Sequence, residues 1–290
     1  QENFALKWFI PFSLIWLIAL SSNSKGLTLT DDLDRLIDVT EPPMTIVSLS
    51  PHLTELLFDL GVGQKVVGTV SFSDYPPSAR AITRVGDASA LNFERIIQMQ
   101  PDLVIAWLSG GSFQSVERLI GLGMKVYVNE ISSPKDIAFS LEKLGVLVGQ
   151  KNRGLELSSK FSKEIIEIEE SRIDSHTPSV FFQLGDKDLF TFNEQHFLGS
   201  AIKVCGAQNV FFDAPTRVSQ VSFESVVRKN PDLIVAYGKS SDGLTQSRKK
   251  WQSIGWGHKL RFVDATELLS PTLRFATGLR KLCFALDESK

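Results

Sequence analysis

The stretch "FERIIQMQPDLVIAW" (93–107) returns 130 residues later as "FESVVRKNPDLIVAY" (223–237). Six of the fifteen positions are identical, and most of the others exchange Ile for Val or Trp for Tyr. Self-similarity on this scale marks a duplicated supersecondary unit. Two copies are too few for a solenoid, so the chain is expected to fold as two similar halves. Each copy reads as a helix, a Pro-Asp stop and a short strand. In the first, Phe93, Ile96 and Ile97 are expected on one helical face. Pro101 ends the helix, because proline lacks the amide proton and restricts its predecessor. "LVIAW" and "LIVAY" are continuous apolar runs, which suit parallel strands buried on both faces.

The flanking sequence extends the pattern. "MTIVSLSP" (44–51) reads as a buried strand, "LTELLFDLG" as a helix stopped at Gly61, and "KVVGTVS" as the next strand. "SDYPPSAR" is expected to be irregular because of its paired prolines. A helix near 113–122 and the strand "KVYVN" follow the first copy. In the second half "SVFFQL", a helix near 197–205, the repeat, "LRFVDA" and a terminal helix alternate likewise. Strands alternating with helices argue a parallel α/β sheet in each half. "LTLTDDLDRLIDV" (27–39) reads as a small hairpin. Between the halves, 135–173 contains no proline, and Leu155, Phe161, Ile165 and Ile168 recur at helical spacing. Gly145, Gly149 and Gly154 mark a break between two helices. The second, near 151–173, is rich in Glu and Lys and is expected to be a solvent-exposed strut. A chain of 290 residues with 43% hydrophobic and 22% charged residues is large enough for such a core.

Lys7, the apolar run "WFIPFSLIWLIAL" and "SSNSKG" follow the order of a secretory leader, expected over 1–22. The run is short for a membrane-spanning helix. The net charge of −2 and the lack of a Lys/Arg run argue against nucleic-acid binding. After export, Cys205 and Cys283 either pair or stay as two buried thiols. No Cys-x-x-Cys spacing supports a zinc site. His52, His176, His196 and His258 form no metal motif, and no nucleophile elbow, phosphate loop or dinucleotide fingerprint is present. No carboxylates form a recognisable acid/base pair. The sequence thus offers no catalytic residues and no resident cofactor. His52, in "SPHLTE", reads as a turn histidine at a helix start or as a ligand contact.

The ordered set "LTLTDDLDRLIDV…TIVSLSPHLTELLFDLG", "SDYPPSA", "LNFERIIQMQPDLVIAW" and "GLGMKVYV" resembles the substrate-binding proteins of ABC importers for cobalamin, siderophores and haem. "SFSDYPPSA", "VFFQLG", "KVCGAQNVF", "QVSFESV" and "KLCFAL" are most similar to its cobalamin-binding members. The resemblance covers nearly all of the chain after the leader. It implies the class III periplasmic binding protein fold: two Rossmann-like α/β lobes (23–147 and 175–290) joined by one long helix (148–174). It further implies a periplasmic, monomeric carrier, with cobalamin as transported ligand and an inner-membrane ABC permease as partner. It makes Cys205 and Cys283 a disulfide. It implies that Glu94 and Glu224, one per lobe, dock on permease arginines. A corrin is a large, mostly apolar disc fringed with amides, so its site needs aromatic walls and a few polar partners. Phe72, Tyr75, Trp107, Phe190 and Asp264 are the expected ligand contacts. Trp107 ends a strand, and strand ends face the crevice in open α/β sheets. The sequence departs from the cobalamin binders at Phe72, Ala88 and Val218, where they carry Tyr, Trp and Trp. It departs again at Asp264-Ala265-Thr266-Glu267-Leu268, which lacks two aromatics and an arginine. Rival readings are a haem or ferric-siderophore carrier, for which Arg217 and Arg274 supply cationic groups, and a periplasmic enzyme or metallochaperone on the same fold.

Overall fold

The computed structural model describes residues 28–38, 41–87, 89–111, 113–172, 177–185, 188–237, 241–264 and 266–287. The expected leader and Ala88 lie outside them. Strands β1 (Thr28–Thr30) and β2 (Leu36–Asp38) form the antiparallel hairpin. The first lobe continues with β3 (Ile46–Ser48), α1 (Pro51–Asp59), β4 (Val66–Thr69), β5 (Thr83–Arg84), α2 (Phe93–Met99), β6 (Leu103–Trp107), α3 (Phe113–Gly121) and β7 (Val126–Asn129). Helices α4 (Pro134–Leu147) and α5 (Lys151–Glu170) lead to the second lobe. It contains β8 (Ser179–Gln183), β9 (Phe190–Phe192), α6 (Phe197–Val204), β10 (Gln208–Asn209), β11 (Val218–Gln220) and α7 (Phe223–Lys229). It ends with β12 (Leu233–Ala236), α8 (Ser241–Gln252), β13 (Leu260–Phe262) and α9 (Phe275–Asp287).

Both main sheets are parallel. The first has the order β5-β4-β3-β6-β7 and the second β10-β8-β12-β13. In each, the order reverses beside the strand of the repeat, between β3 and β6 and between β8 and β12. A ligand crevice opens at such a reversal, outside the carboxyl ends of the strands.

The repeat has a structural basis. Asn92 and Ser222 cap the helices, accepting from the amides of Arg95 and Ser225. Gln100 and Asn230 end them in the left-handed region, φ 44° in both, just before the prolines. The Asp102 carboxylate then accepts from the amides of Thr45 (2.9 Å) and Met44 (2.8 Å). The Asp232 carboxylate accepts from the amide and hydroxyl of Ser179 (2.8 and 2.6 Å). Each aspartate thereby fastens the entry of one central strand to the next and fixes their register. The bonds from Thr45 and Met44 hold the Asp102 carboxyl below its ordinary pKa. Ile96 is fully buried, whereas Ile97 is 44% exposed, so the apolar face of α2 is narrower than its sequence suggests.

Helix α5 is not a solvated strut. Leu157, Phe161, Ile165 and Ile168 form a buried stripe against α4, α6 and α9, and only the opposite face is polar. Gly145 and Gly154 let α4 and α5 approach closely, since a Cβ on Gly154 would meet the Leu141 carbonyl oxygen at 2.5 Å. One apolar core therefore runs from Leu53, Leu56 and Leu57 through these helices to Leu279, Leu282 and Leu286. Cys205 and Cys283 are disulfide-bonded and tie α6 to α9. The "YPP" segment is not wholly irregular: Pro77–Ala81 forms one 3₁₀ turn.

Candidate functional site

Side chains at the carboxyl end of the first sheet are organised by a chain of buried hydroxyls. The Thr54 hydroxyl donates to Ser48 and lies 2.7 Å from the Thr69 hydroxyl, which donates to Ser73 at 2.8 Å. This chain pins the loop after β4, with help from Ser71, whose amide and hydroxyl donate to the Gly86 carbonyl. The loop presents Phe72, which is 83% exposed and has φ 67°. A left-handed phenylalanine displayed to solvent costs stability twice, in backbone strain and in unburied apolar surface. That pattern is typical of residues held for contact with a ligand.

Trp107 ends β6 and is half-buried. Its ring meets His52 edge-on, with centroids 4.9 Å apart and planes at 89°. Behind it lies the backbone of Gly110, where a Cβ would come within 1.6 Å of the indole. Trp107 Nε1 is buried with no hydrogen-bond partner among the described residues. His52 is itself buried in α1, 2.6 Å from the Ser50 hydroxyl, and burial lowers its pKa to about 3. It is a neutral buttress for Trp107, standing where the first sheet reverses; its place on helix α1 is nearer the turn-histidine reading than the ligand-contact one.

The matching position in the second lobe is Tyr237, directly after β12 and half-buried. Desolvation, and then the charge of Asp264, raise its pKa. Asp264 is exposed, and its carboxylate accepts from the Thr266 amide. Phe190, 37% exposed, starts β9, which pairs antiparallel with β11 as a separate two-stranded sheet, while Phe192 is wholly buried and packs on Phe182. Val218, 45% exposed, starts β11 of the same two-stranded sheet. Leu268, beyond Asp264, is core.

Among the described residues, two ion pairs cross from lobe to lobe. The guanidinium of Arg274 donates to Glu55 through Nε (2.7 Å) and Nη2 (2.6 Å), and Thr272 donates to the same carboxylate at 2.7 Å. Arg274 also lies 3.8 Å above the ring of Tyr75, which is 45% exposed. The second pair joins Arg217 Nη1 to Glu130 at 3.0 Å. Glu94 and Glu224 occupy the first turns of α2 and α7, both exposed.

Sequence reasoning brought Phe72, Tyr75 and Trp107 to one end of the first sheet, as the structure has them. It missed Tyr237, although the Trp107/Tyr237 exchange within the repeat pointed there. It also missed Glu55, Glu130 and Thr272. Glu55 and Arg274 lie 219 residues apart, so no local signal joins them.

Comparison with known proteins agrees with this architecture. The family described as Periplasmic binding protein matches residues 46–253. A vitamin B12-binding protein of Vibrio parahaemolyticus is 30% identical over 252 residues, covering 86% of this chain and 92% of the relative. One from Vibrio cholerae is 31% identical over 250 residues, covering 83% and 88%. The crystal structure of the periplasmic vitamin B12-binding protein BtuF of Vibrio cholerae superposes with a TM-score of 0.79 at 27% identity, covering 86% of this chain and 98% of that one. The haem-binding protein RhuT of Roseiflexus, at 23% identity and TM-score 0.72, shares the fold. With the two parallel sheets, their paired reversals and the joining helices, these matches place the chain in the periplasmic binding protein family.

Proposed function

We propose that this chain is a periplasmic carrier that captures cobalamin between its lobes and delivers it, chemically unchanged, to an ABC importer. The observation that carries the reading is the state of the cleft arginines. Arg217 and Arg274, which an anionic siderophore would require, are each engaged by a carboxylate of the opposite lobe. What the cleft offers is an aromatic floor around Trp107 and Phe72, with Tyr237 and Phe190 on the facing lobe. Such a surface suits a neutral, amide-fringed disc better than an acidic ligand. The names of the relatives support the same cargo. Tyr75 and Asp264 complete the proposed contacts.

The proposal includes export by the 1–22 leader, action as a monomer, and lobes spanning 23–147 and 175–290 about the connecting segment 148–174. Glu94 and Glu224 present one carboxylate per lobe to permease arginines, which they meet in bidentate geometry. The deciding experiment incubates purified protein with cyanocobalamin, haemin or a ferric siderophore, followed by gel filtration. Corrin absorbance is expected to travel with the protein. Retention of haemin or siderophore in its place would refute the cobalamin reading.

A further inference from the structure

The Glu130–Arg217 pair does more than join the lobes. Glu130 follows β7, and its carboxylate is held by groups of its own lobe as well as by Arg217. It accepts from the Ser109 amide at 3.0 Å, from the Ser109 hydroxyl, and from the Ser132 hydroxyl at 3.3 Å. Its side chain is only 17% exposed, whereas that of Arg217 is 49% exposed. Arg217 directly precedes β11 and adds a second contact to the Ser109 hydroxyl at 3.4 Å. Only Nη1 is used in these contacts, and a guanidinium carries five N–H donors.

The strand order locates the pair. Glu130 lies at the β7 edge, Tyr75 and Arg274 lie toward β4, and Trp107 ends the strand between them. The two ion pairs therefore stand on either side of the strand that Trp107 ends. Any ligand over Trp107 must fit between them.

We infer that Glu130 and Arg217 set the charge selectivity of the cleft, admitting an uncharged ligand rim and rejecting an anionic one. An anion approaching Arg217 meets a carboxylate already held 3.0 Å from Nη1. It must either displace that carboxylate or sit beside it, and like charges at such range repel. A neutral amide oxygen faces no such conflict and can accept from the remaining guanidinium donors. Arg274 is closed to anions in the same way by Glu55. The inference rests on the cobalamin reading, and its test separates the two.

The test compares wild type, E130Q and R217Q, using cyanocobalamin and corrinoid monocarboxylates in which one peripheral amide has been hydrolysed. Equilibrium dialysis at low salt gives the ratio of the two affinities, a quantity that loss of folded protein does not change. E130Q leaves Arg217 without its carboxylate, and the ratio is expected to move toward the carboxylate by about three- to ten-fold. R217Q leaves Glu130 without its cation and is expected to move it the other way. A ratio within two-fold of wild type in both variants, or a shift in the same direction in both, overturns the inference. Should wild type retain no corrinoid, the cargo reading fails and haemin, with its two propionates, becomes the probe. E130Q must then bind haemin more tightly than wild type. Equal binding, or none in either protein, overturns the selectivity role.

Discussion

The Glu55–Arg274 contact is the clearest place to perturb the joint between the lobes. Glu55 is 4% exposed at its side chain, and its carboxylate accepts three bonds of 2.6–2.7 Å from Arg274 and Thr272. Glu55→Gln keeps the shape, removes the charge and turns one acceptor into a donor that faces the guanidinium. Breaking a buried pair from one side costs about 3–5 kcal/mol. Arg274 keeps 26% of its side chain exposed, so water recovers part of that, and a loss of about 2–3 kcal/mol is expected. Arg274→Gln strands the more deeply buried partner and is expected to cost at least as much. The double variant should therefore lose less than the sum of the singles, with a coupling of about 2 kcal/mol. Urea unfolding followed by far-ultraviolet circular dichroism measures all three. If E55Q loses under about 0.5 kcal/mol, or the singles add in the double variant, the contact does not hold the lobes and the reasoning fails.

Four further outcomes are expected. Asp59, on the same helix, has its pKa raised to about 6, first by burial and then by Glu55; the folded state thus favours its proton. Its contribution to stability is full below about pH 4 and is lost as pH rises through 6, so D59N should gain stability relative to wild type between pH 4 and 7 in urea titrations. Trp107→Ala should weaken cyanocobalamin binding by about 1–3 kcal/mol in calorimetry. Gly110→Ala, whose Cβ would overlap the indole, should also weaken binding and shift the tryptophan emission; unchanged affinity in both variants would return Trp107 to a packing role. Glu94→Ala combined with Glu224→Ala should leave cobalamin affinity intact while reducing permease pull-down, more at low than at high salt; loss of ligand binding with normal pull-down would assign these residues to the cleft instead.

Much of the architecture was legible because periodic burial writes it into local sequence. The runs 103–107 and 233–236 are apolar since helices cover both faces of their sheets, and Pro-Asp punctuates the helices before them. The two-stranded β9/β11 sheet was not legible: its strands are three residues each, too short to show alternation, and a helix and another strand lie between them. Helix α8 begins "SDGLTQSRKK", which carries no apolar stripe, and it is held by Trp251, buried and donating to Gln183 at 2.8 Å. Phe72, Tyr75, Trp107 and Phe190 of the proposed site were readable because each sits at a strand end or in a turn, whereas Tyr237, at the matching strand end, was missed. The charged half was not. Arg217 and Arg274 look, in sequence, like the makings of an anion site, and only their partners 87 and 219 residues away reverse that meaning.

The six identities of the repeat can now be separated by what they do. Phe93 and Phe223 pack into their lobes, the first under Arg118 and the second stacked on Trp251. The Pro-Asp pairs stop the helices and fasten the strands. Leu103, Leu233, Ala106 and Ala236 are core, none more than 2% exposed. Packing and hydrogen bonding therefore account for five of the six. The remaining identity, Glu94 and Glu224, is solvent-exposed on both lobes. An acidic residue in a first turn gains a few tenths of a kcal/mol from the helix dipole, up to about 1 kcal/mol, but Asp, or no charge at all, would serve the fold nearly as well. A recurrence that the scaffold does not demand points to a requirement outside the scaffold. Two carboxylates carried at equivalent places on two similar lobes suit a partner that must engage both lobes at once.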